Sequence, residues 1–398
     1  MPVFDHLQIL PDDPILGLMA VYASDTRPSR MDLGVGIYKD EHGQTPVLAA
    51  VKAAEAWLLE NETSKAYLST AGVPGFEQAI VPLAMGDAAA ALVGDHYAAV
   101  QTPGGTGALR LMGEFLARTS VKTVLVGVPT WPIHQPIFER AGLSVKTCAH
   151  LTPEGTFNLD ALLAGIAELN TGDAVLLHGC CHNPTGIDPT QEQWHAILAA
   201  VKAKGVLPLF DLAYQGFGAG LDEDAWSLRL FCDALPEVLA SLSCSKNFGI
   251  YRERTGALLV SADSAAKVAA VKSQMIDSAR CLWSMPPSHG AQIVTRVLGD
   301  EALRTQWKAE LAHMCQRVNA LRGALCEALK AIDAFEPFAA VAQQKGMFSS
   351  LGMTPEYVLR VRERSGVYLV GTGRVNVSGL PADRVDELAA ALKAGLDG

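Results

Sequence analysis

Lys246 lies within the stretch Ser241-Leu-Ser-Cys-Ser-Lys-Asn-Phe-Gly-Ile-Tyr-Arg-Glu-Arg-Thr-Gly256, among small hydroxyl residues and upstream of Arg254. A lysine that bonds covalently to an aldehyde must lose its proton near neutral pH, and burial or a nearby positive charge favours that loss. Ser243, Ser245 and Arg254 could donate hydrogen bonds to a phosphate on the same ligand. A surface turn with ordinary basic residues remains an alternative, because most lysines are solvated charges.

A second candidate phosphate site is the glycine-rich stretch Gln101-Thr-Pro-Gly-Gly-Thr-Gly-Ala-Leu-Arg110. The residues that follow predict a helix over Ala108–Ala117, and the backbone N–H groups at a helix N-terminus bind anions. The stretch lacks the Lys-Ser/Thr ending of a nucleotide P-loop and the spacing of a dinucleotide fingerprint. An ordinary turn is therefore an equal alternative here.

Two polar segments follow apolar runs that predict buried strands. The first, His178-Gly-Cys-Cys-His-Asn-Pro-Thr-Gly186, follows the run Ala174–Leu177 and carries Asn183, a neutral donor suited to a phenolate oxygen. Ligands of open α/β sheets bind at such strand ends. The adjacent Cys180 and Cys181 lack the C-x-x-C spacing of zinc sites, so no metal is predicted.

The second segment is Val206-Leu-Pro-Leu-Phe-Asp-Leu-Ala-Tyr-Gln-Gly-Phe217. Asp211 comes directly after the apolar run Val206–Phe210, and a carboxylate at the end of a buried strand is unfavourable without a cationic partner. A pyridinium nitrogen is such a partner, and the resulting ion pair keeps the ring electron-withdrawing. An aspartate that caps the following turn is the alternative interpretation.

In order and spacing, these segments resemble the subfamily I aminotransferases, which include the aspartate and aromatic amino acid aminotransferases. The resemblance extends from Asp13-Pro-Ile-Leu-Gly-Leu18 to Gly373-Arg-Val-Asn-Val-Ser-Gly379. Its most specific parts are the Ser-x-Ser-Lys-Asn-Phe-Gly and His-Asn-Pro-Thr-Gly motifs. The resemblance implies pyridoxal 5′-phosphate as cofactor and transamination as the reaction.

The resemblance also implies a role for each matching residue. Lys246 would form the covalent link to the cofactor and then move the substrate proton, while His134 would support Asp211. The residues implied around the cofactor ring are Asp211 at the nitrogen, Tyr214 and Asn183 at the 3-oxygen, and Trp131 on the face. Those implied at the phosphate are Gly105, Thr106, Ser243, Ser245, Arg254 and, from the partner subunit of a homodimer, Tyr67. Those implied at the substrate are Gly36, Trp131, Asn183, Arg280 and Arg374.

The composition sets limits on the class of protein. The 398 residues suffice for two domains, and with 49% hydrophobic and 19% charged residues we expect a large core. A net charge of −10 argues against nucleic acid or an anionic membrane as a partner. The scattered cysteines suit a reducing cytoplasm. We expect no signal peptide, because the N-terminus lacks a basic region and an apolar core, and no transmembrane segment.

The predicted fold class is α/β, with the fold type I architecture of pyridoxal-phosphate-dependent transferases. Apolar strands at 121–128, 174–177, 206–210 and 257–261 alternate with helical patterns, which indicates a mainly parallel sheet. The clearest helix is Thr190–Lys204, with a capping box formed by Thr190 and Gln193, and Gly205 at its end. The resemblance implies an N-terminal arm (1–14), a large cofactor-binding domain with a seven-stranded sheet (45–313), and a discontinuous small α+β domain (15–44 and 314–398).

Two other classes of function are possible at this point. A lyase or decarboxylase can use the same fold and cofactor, because fold does not determine reaction. Arg280 and Arg374 favour transamination of dicarboxylates over that alternative. A non-catalytic regulator would need a fused DNA-binding segment, for which the chain has neither room nor a basic stretch.

The substrate preference is ambiguous between aspartate and aromatic amino acids. Arg280 matches the family arginine that binds a distal carboxylate, whereas the segment Leu282-Trp-Ser-Met285 replaces the Asn-Tyr-Ser-Asn of aspartate enzymes. Ala66 replaces a polar residue that is frequent in aspartate enzymes, and the sequence around Lys246 is closer to that of aromatic enzymes. Three positions keep the aspartate-like residue: Lys39, Thr45 and Thr106. We therefore predict dual specificity with 2-oxoglutarate as acceptor, strict aspartate specificity being the alternative.

Overall fold

The protein is described by a computed structural model that covers residues 2–10 and 14–396. Its strands are β1 (Met31–Asp32), β2 (Tyr97–Pro103), β3 (Thr123–Val128), β4 (Ser144–Ala149), β5 (Ala174–His178), β6 (Leu207–Leu212), β7 (Glu237–Ser243), β8 (Thr255–Ala262), β9 (Phe348–Ser350), β10 (Val367–Tyr368) and β11 (Arg374–Asn376).

The α-helices are α1 (Pro14–Ser24), α2 (Ala49–Asn61), α3 (Phe76–Met85), α4 (Gly104–Leu116), α5 (His134–Arg140), α6 (Leu159–Ala167), α7 (Gln191–Lys204), α8 (Leu221–Ala234), α9 (Ala265–Trp283), α10 (His289–Gly299), α11 (Glu301–Ala331), α12 (Pro355–Ser365) and α13 (Val385–Leu396). Short 3₁₀ helices span Asp87–Leu92, Tyr251–Glu253, Glu336–Gln343, Val377–Gly379 and Ala382–Arg384. None of the helices among the described residues combines the length and the apolar character that a membrane crossing requires.

A seven-stranded sheet with the order β2-β8-β7-β6-β5-β3-β4 forms the centre of the protein. β8 runs antiparallel to both of its neighbours, and the other pairs are parallel. Except for the largely exposed edge strand β4, the strands of this sheet are buried on both faces, with Leu209 on one face and Phe210 on the other, as the period of two in a strand requires. Helices α4, α5 and α9 cover one face, and α7 and α8 cover the other. The predicted α/β class with a mainly parallel seven-stranded sheet is confirmed.

The register of the sheet brings three strand ends together. His178 at the end of β5 pairs with Asp211 on β6, and Asp211 pairs with Ser241 on β7. The carboxyl ends of these parallel strands therefore form one edge, and the loops that leave it carry Asn183 and Lys246. Ligands of open α/β sheets bind at such an edge.

Two small sheets lie outside the central sheet, and the first of them joins the N-terminal and C-terminal segments. β1 pairs in parallel with β10, and β9 pairs antiparallel with β11, so that Arg374 lies opposite Ser350. The division into domains at 15–44, 45–313 and 314–398 stays a prediction. The predicted arm, 1–14, includes residues 1 and 11–13, which lie outside the described residues, as does Asp13 of the matched N-terminal segment.

The predicted local elements agree with the structure to within a few residues, with one clear difference. Thr190 and Gln193 form the predicted capping box of α7, and Gly205 ends this helix in the left-handed conformation. Helix α4, however, begins at Gly104 rather than at Ala108, so the glycines form its first turn. Glycines are poor helix formers, which is why the pattern placed this start too late. Their small size is needed here, because the first turn packs against neighbouring strands.

Candidate active site

A cavity of about 220 Å³ lies at the carboxyl edge of the sheet. Ten predicted site residues line it: Gly105, Thr106, Trp131, Asn183, Asp211, Tyr214, Ser243, Ser245, Lys246 and Arg254. Leu109 and Ala213 line it too and were not predicted. Ala213 could have been found from its position between Asp211 and Tyr214, whereas the pattern of Leu109 is that of any apolar helix residue.

Lys246 follows the end of β7 and projects toward the other side of the cavity. Its Nζ lies 4.7 Å from the centre of the Tyr214 ring. Burial lowers the pKa of Lys246 to about 8; Arg254 and Arg374 add to this effect and the Asp211 carboxylate opposes it. A much larger share of this amine is therefore neutral and nucleophilic near neutral pH than in an exposed lysine.

The first turn of α4 forms a cradle with the loop after β7. Gly104 has a left-handed backbone (φ +72°), and a Cβ there would lie 2.6 Å from a guanidinium nitrogen of Arg254. A Cβ on Gly105 would lie 3.1 Å from the Cβ of Ser243. Only glycine therefore allows this close approach of helix, serine and arginine. Because the helix N-terminus carries free N–H groups and positive potential, the cradle suits a phosphate.

Asp211 is held in place by a histidine and a threonine. His134 donates from Nε2 to Oδ2 of Asp211 at 3.1 Å, and Thr130 Oγ1 lies 2.8 Å from His134 Nδ1. Burial alone would raise the pKa of Asp211, but the hydrogen bond from His134, with the adjacent His178 and Lys246, outweighs it and keeps this pKa below its ordinary value. Asp211 is therefore ionised at neutral pH and suited to a cationic ring nitrogen.

Asn183 connects two other predicted residues. Its Nδ2 donates to the Tyr214 hydroxyl oxygen at 3.2 Å, and its Oδ1 accepts from Arg374 Nη1 at 3.2 Å. Burial raises the pKa of Tyr214 well above its ordinary value, so the phenol keeps its proton and can donate a hydrogen bond. These two hydrogen bonds connect Tyr214 in the cavity wall, through Asn183, to Arg374 in the small β9–β11 sheet.

Arg374 has a free donor despite being buried. Its Nη2 donates to the Gly34 carbonyl at 2.8 Å, and its Cζ lies 4.2 Å over the ring of Phe348, while its Nε has no partner in the described structure. Gly36 lies against the same ring, since a Cβ there would approach Phe348 to 2.8 Å. A buried guanidinium with an unpartnered N–H suits a carboxylate ligand. Phe348 was not predicted, because it belongs to no motif.

Tyr67 and Arg280 are not brought together with the cavity residues within this chain. The Tyr67 side chain is 93% exposed, and Arg280 is exposed near the end of α9. Met285, which follows that helix, accepts the backbone N–H of Leu68 at its sulfur, 2.9 Å away. This contact ties the segment of Tyr67 to the segment that follows Arg280.

The cavity fits pyridoxal 5′-phosphate, the cofactor that the sequence implies. The glycine cradle beside Arg254 suits the phosphate, and the ionised Asp211 lies across the cavity for the ring nitrogen. The Tyr214 hydroxyl is available for the ring oxygen. Lys246, with its lowered pKa, suits the aldehyde. The donors thus match each polar group of the cofactor.

Known proteins resemble this chain along its whole length. The family described as Aminotransferase class I and II matches residues 28–392. An aromatic-amino-acid aminotransferase of Pseudomonas aeruginosa is 47% identical over 393 residues, which are 98% of each chain. An aspartate aminotransferase of Escherichia coli is 46% identical over 396 residues, 99% of this chain and all of the relative.

The fold is also found in solved structures. An aromatic-amino-acid aminotransferase from Burkholderia pseudomallei, covalently bound to pyridoxal phosphate, superposes with a TM-score of 0.96 at 38% identity over the full length of both chains. The predicted family, cofactor and reaction are thereby confirmed. The chain belongs to the class I and II aminotransferases and catalyses pyridoxal-phosphate-dependent transamination.

Proposed function

We propose that this aminotransferase transfers amino groups from both dicarboxylic and aromatic L-amino acids to 2-oxoglutarate by a ping-pong cycle. One observation carries the proposal: the buried Arg374 keeps a free N–H beside the cavity of Lys246 and is joined to that cavity through Asn183. A carboxylate recognised by Arg374 is thus held next to the lysine. Every α-amino acid and every 2-oxo acid carries such a carboxylate.

When bound, the cofactor supplies an electron-withdrawing ring that lowers the energy of a negative charge on the substrate α-carbon. Asp211 keeps the ring nitrogen protonated, because its own pKa is held below the ordinary value. Tyr214 and Asn183 orient the ring oxygen, and Trp131 covers the face of the ring. The phosphate is anchored by five residues of the cradle: Gly105, Thr106, Ser243, Ser245 and Arg254.

Lys246 has two tasks in the proposed cycle. In the resting enzyme it holds the cofactor, and after the amino acid displaces it, the free amine moves the proton of the α-carbon. A base works best when its pKa is near the working pH, and burial brings the pKa of Lys246 to about 8. The oxo acid product leaves before the second oxo acid enters.

Two sets of groups recognise the substrate, one at its α-carboxylate and one at its side chain. Arg374 and the backbone at Gly36 bind the α-carboxylate of any substrate. Arg280 of the partner subunit binds the distal carboxylate of aspartate or glutamate. For an aromatic substrate, Ile37 and Met285 provide apolar contacts. The apolar Met285, where aspartate enzymes have an asparagine, supports a pocket that also accepts a ring.

Exposed apolar groups support a homodimer with shared sites. Five large apolar side chains of the N-terminal segment are mostly exposed in the single chain: Val3, Phe4, Leu7, Ile9 and Leu10. Exposed apolar clusters mark interaction surfaces. Tyr67, also exposed, would reach the phosphate of the partner's site. The eight cysteines are free thiols, which supports a reducing cytoplasm.

The division into domains is part of the proposal. Residues 15–44 and 314–398 form the small domain, 45–313 the large domain and 1–14 an arm. The pairing of β1 with β10 supports this division, since it joins the N-terminal and C-terminal segments.

Steady-state kinetics with 2-oxoglutarate and aspartate, phenylalanine, tyrosine or tryptophan test the proposal. We expect glutamate to form in equal amount to the new oxo acid with both classes of donor, with parallel lines in double-reciprocal plots. Turnover of aspartate alone would contradict the dual specificity. Release of pyruvate or carbon dioxide without glutamate would indicate a lyase or decarboxylase instead.

A further inference from the structure

Four histidines form a buried row behind Asp211, and the proposed reaction uses only the first of them. His134 donates to the Asp211 carboxylate, and its ring centre lies 5.1 Å from that of His178. The His178 and His182 rings are 4.2 Å apart. His182 is stacked face to face on His150, with 3.5 Å between ring centres and 11° between planes.

Hydrogen bonds fix the orientation of three rings of this row. His134 donates from Nε2 to the ionised carboxylate, and its Nδ1 lies 2.8 Å from the Thr130 hydroxyl oxygen. His150 donates from Nε2 to the Ile187 carbonyl at 3.0 Å. Thr185 Oγ1 accepts the Ile187 N–H and lies 2.8 Å from His182 Nδ1. Each of the three rings is therefore held in one orientation.

His150, His178 and His182 are neutral because they are buried. Burial lowers the pKa of His150 to about 4 and that of His178 to about 3, and it lowers the pKa of His182 well below its ordinary value. The other titratable groups at the row are Cys148, whose pKa burial raises to about 11, and Asp188, whose pKa burial raises to about 6. Asp188 accepts the N–H groups of Cys181 and His182.

A cavity of about 30 Å³ lies against the row, and three of the histidines help to line it: His150, His178 and His182. It has room for roughly one water molecule. The Nε2 of His178 has no partner in the described structure. His150 is the last histidine of the row, and on its other side it contacts the Phe157 ring edge to face, with 5.2 Å between ring centres.

We propose that His150 is a positioning residue for transamination: its ring, stacked on His182, holds the row in place and closes it to water, so that Asp211 faces the cofactor nitrogen with its full charge. The inference rests on the proposed role of Asp211. Without the ring of His150, the cavity would grow and water would enter. A charge on His182 or His178 would then be less unfavourable, and this cation would compete with the ring nitrogen for Asp211.

Three variants separate the stacked ring from the other contacts of His150. His150→Phe keeps the ring and loses the hydrogen bond to Ile187; His150→Gln keeps a donor for that bond and loses the ring; His150→Leu loses both. The matched control is His195→Leu, since His195 is exposed and contacts only Trp226 among the aromatic rings. The pH profile of kcat is measured for each holoenzyme, with KM for the amino donor.

We expect His150→Leu and His150→Gln to move the acidic limb of the kcat profile upward by about one pH unit, and to lower kcat roughly 3- to 10-fold below pH 7 with little change in KM. His150→Phe should restore the wild-type profile, and His195→Leu should keep it. In the cofactor-free protein, NMR titration should show His178 and His182 neutral down to pH 5 in the wild type, and titrating at higher pH in His150→Leu.

The inference is wrong if the Leu and Gln variants keep the wild-type profile, or if Phe behaves like Leu. The inference is equally wrong if the titrations of His178 and His182 are the same in His150→Leu as in the wild type. A merely structural role of His150 would lower stability without changing these titrations. These outcomes are distinct from a failure of the proposed function itself, which would appear as a covalent cofactor link at another lysine or as an active Asp211→Asn enzyme.

Discussion

Arg374 donates a hydrogen bond to the side-chain carbonyl of Asn183 at 3.2 Å, although 191 positions separate the two residues in the sequence. The bond joins β11 to the loop after β5, and Asn183 in turn donates a hydrogen bond to the Tyr214 hydroxyl oxygen. The group proposed to bind the substrate carboxylate is thus tied to the groups proposed to orient the cofactor ring. The positions of substrate and cofactor are therefore coupled in the proposed site.

Lys246 is expected to carry the cofactor, because it is the lysine that the cavity surrounds and burial lowers its pKa to about 8. Borohydride reduction of the holoenzyme followed by peptide mapping should find the pyridoxyl group on Lys246. Lys39 and Lys345, which do not line the cavity, serve as internal controls. A label on either of them would contradict the assignment.

Asp211→Asn should nearly abolish transamination and leave the fold intact. The amide keeps the shape of the side chain but cannot pair with a cationic nitrogen, and loss of one member of a buried charge pair costs about 2–5 kcal/mol, or roughly 30-fold to several thousand-fold in rate. The measurement is kcat of the variant with its cofactor content determined. Asp160→Asn, an exposed change at the start of α6, is the control. Near-normal turnover by a cofactor-loaded Asp211→Asn enzyme would refute the role.

Lys246→Met should stabilise the cofactor-free protein in a pH-dependent way. Lys246 has its folded pKa lowered to about 8 from an ordinary 10.5, so below pH 8 it is charged in both states and the folded state bears the full penalty of burial. As the pH rises from 8 toward 10.5, the folded state loses its proton first and the penalty disappears. The advantage of methionine should therefore be on the order of 3 kcal/mol at pH 7 and much smaller at pH 10.

Urea unfolding of both proteins at pH 7 and pH 10 measures this difference. Lys202→Met serves as the control, because Lys202 is exposed on α7 and its charge stays in water in both states. An equal effect of Lys246→Met at the two pH values would show that the buried charge does not govern the stability of the empty site.

The proposed sharing of sites across a homodimer predicts complementation. A Lys246→Ala chain is inactive in its own site, and a Tyr67→Phe/Arg280→Leu chain should be poorly active toward aspartate because it harms the partner's site. In a heterodimer, one site combines wild-type residues of both chains. Mixing the two proteins under dissociating conditions should therefore recover aspartate turnover. Heterodimers that form, as shown by mass spectrometry, without any recovery would exclude shared sites.

The chemistry of the site was easier to predict than its surroundings. Asn183 and Lys246 follow strand ends and Asp211 lies near the end of β6, all in distinctive segments, and parallel strands bring such ends to one edge. The direction of β8 was not predictable, because an apolar strand has the same pattern in either direction. β4 was missed because its residues are largely exposed and lack apolar alternation.

Contacts that depend on tertiary packing left no signal in the sequence. Phe348 meets Arg374 only because β9 and β11 pair, and His150 stacks on His182 only because the loop after β4 passes beside the loop after β5. Neither residue belongs to a motif. Tyr67 and Arg280 were recognised by family resemblance alone; both are exposed in the single chain, and their role at a partner's site stays a prediction.

Arg280 is expected to distinguish the two classes of substrate by the carboxylate on the aspartate side chain. Arg280→Leu should depress kcat/KM for aspartate and leave that for phenylalanine nearly unchanged, since only aspartate offers a second carboxylate. A hydrogen bond to a charged group is worth about 1.5–3 kcal/mol, so the expected loss for aspartate is roughly 10- to 150-fold. Arg374→Leu should depress both substrates, because each carries the α-carboxylate. Arg140→Leu, a change at an exposed arginine on α5, should affect neither.

The decisive quantity is the ratio of kcat/KM for aspartate to kcat/KM for phenylalanine, because a general loss of stability would lower both values together. Equal losses for aspartate and phenylalanine in the Arg280→Leu enzyme would mean that Arg280 does not select the distal carboxylate. A second change, Met285→Asn, then tests the other half of the pocket. It replaces an apolar side chain by a polar one where aspartate enzymes have asparagine, so it should lower kcat/KM for phenylalanine more than for aspartate. Opposite responses of the two variants are what a shared pocket with separate selectors requires.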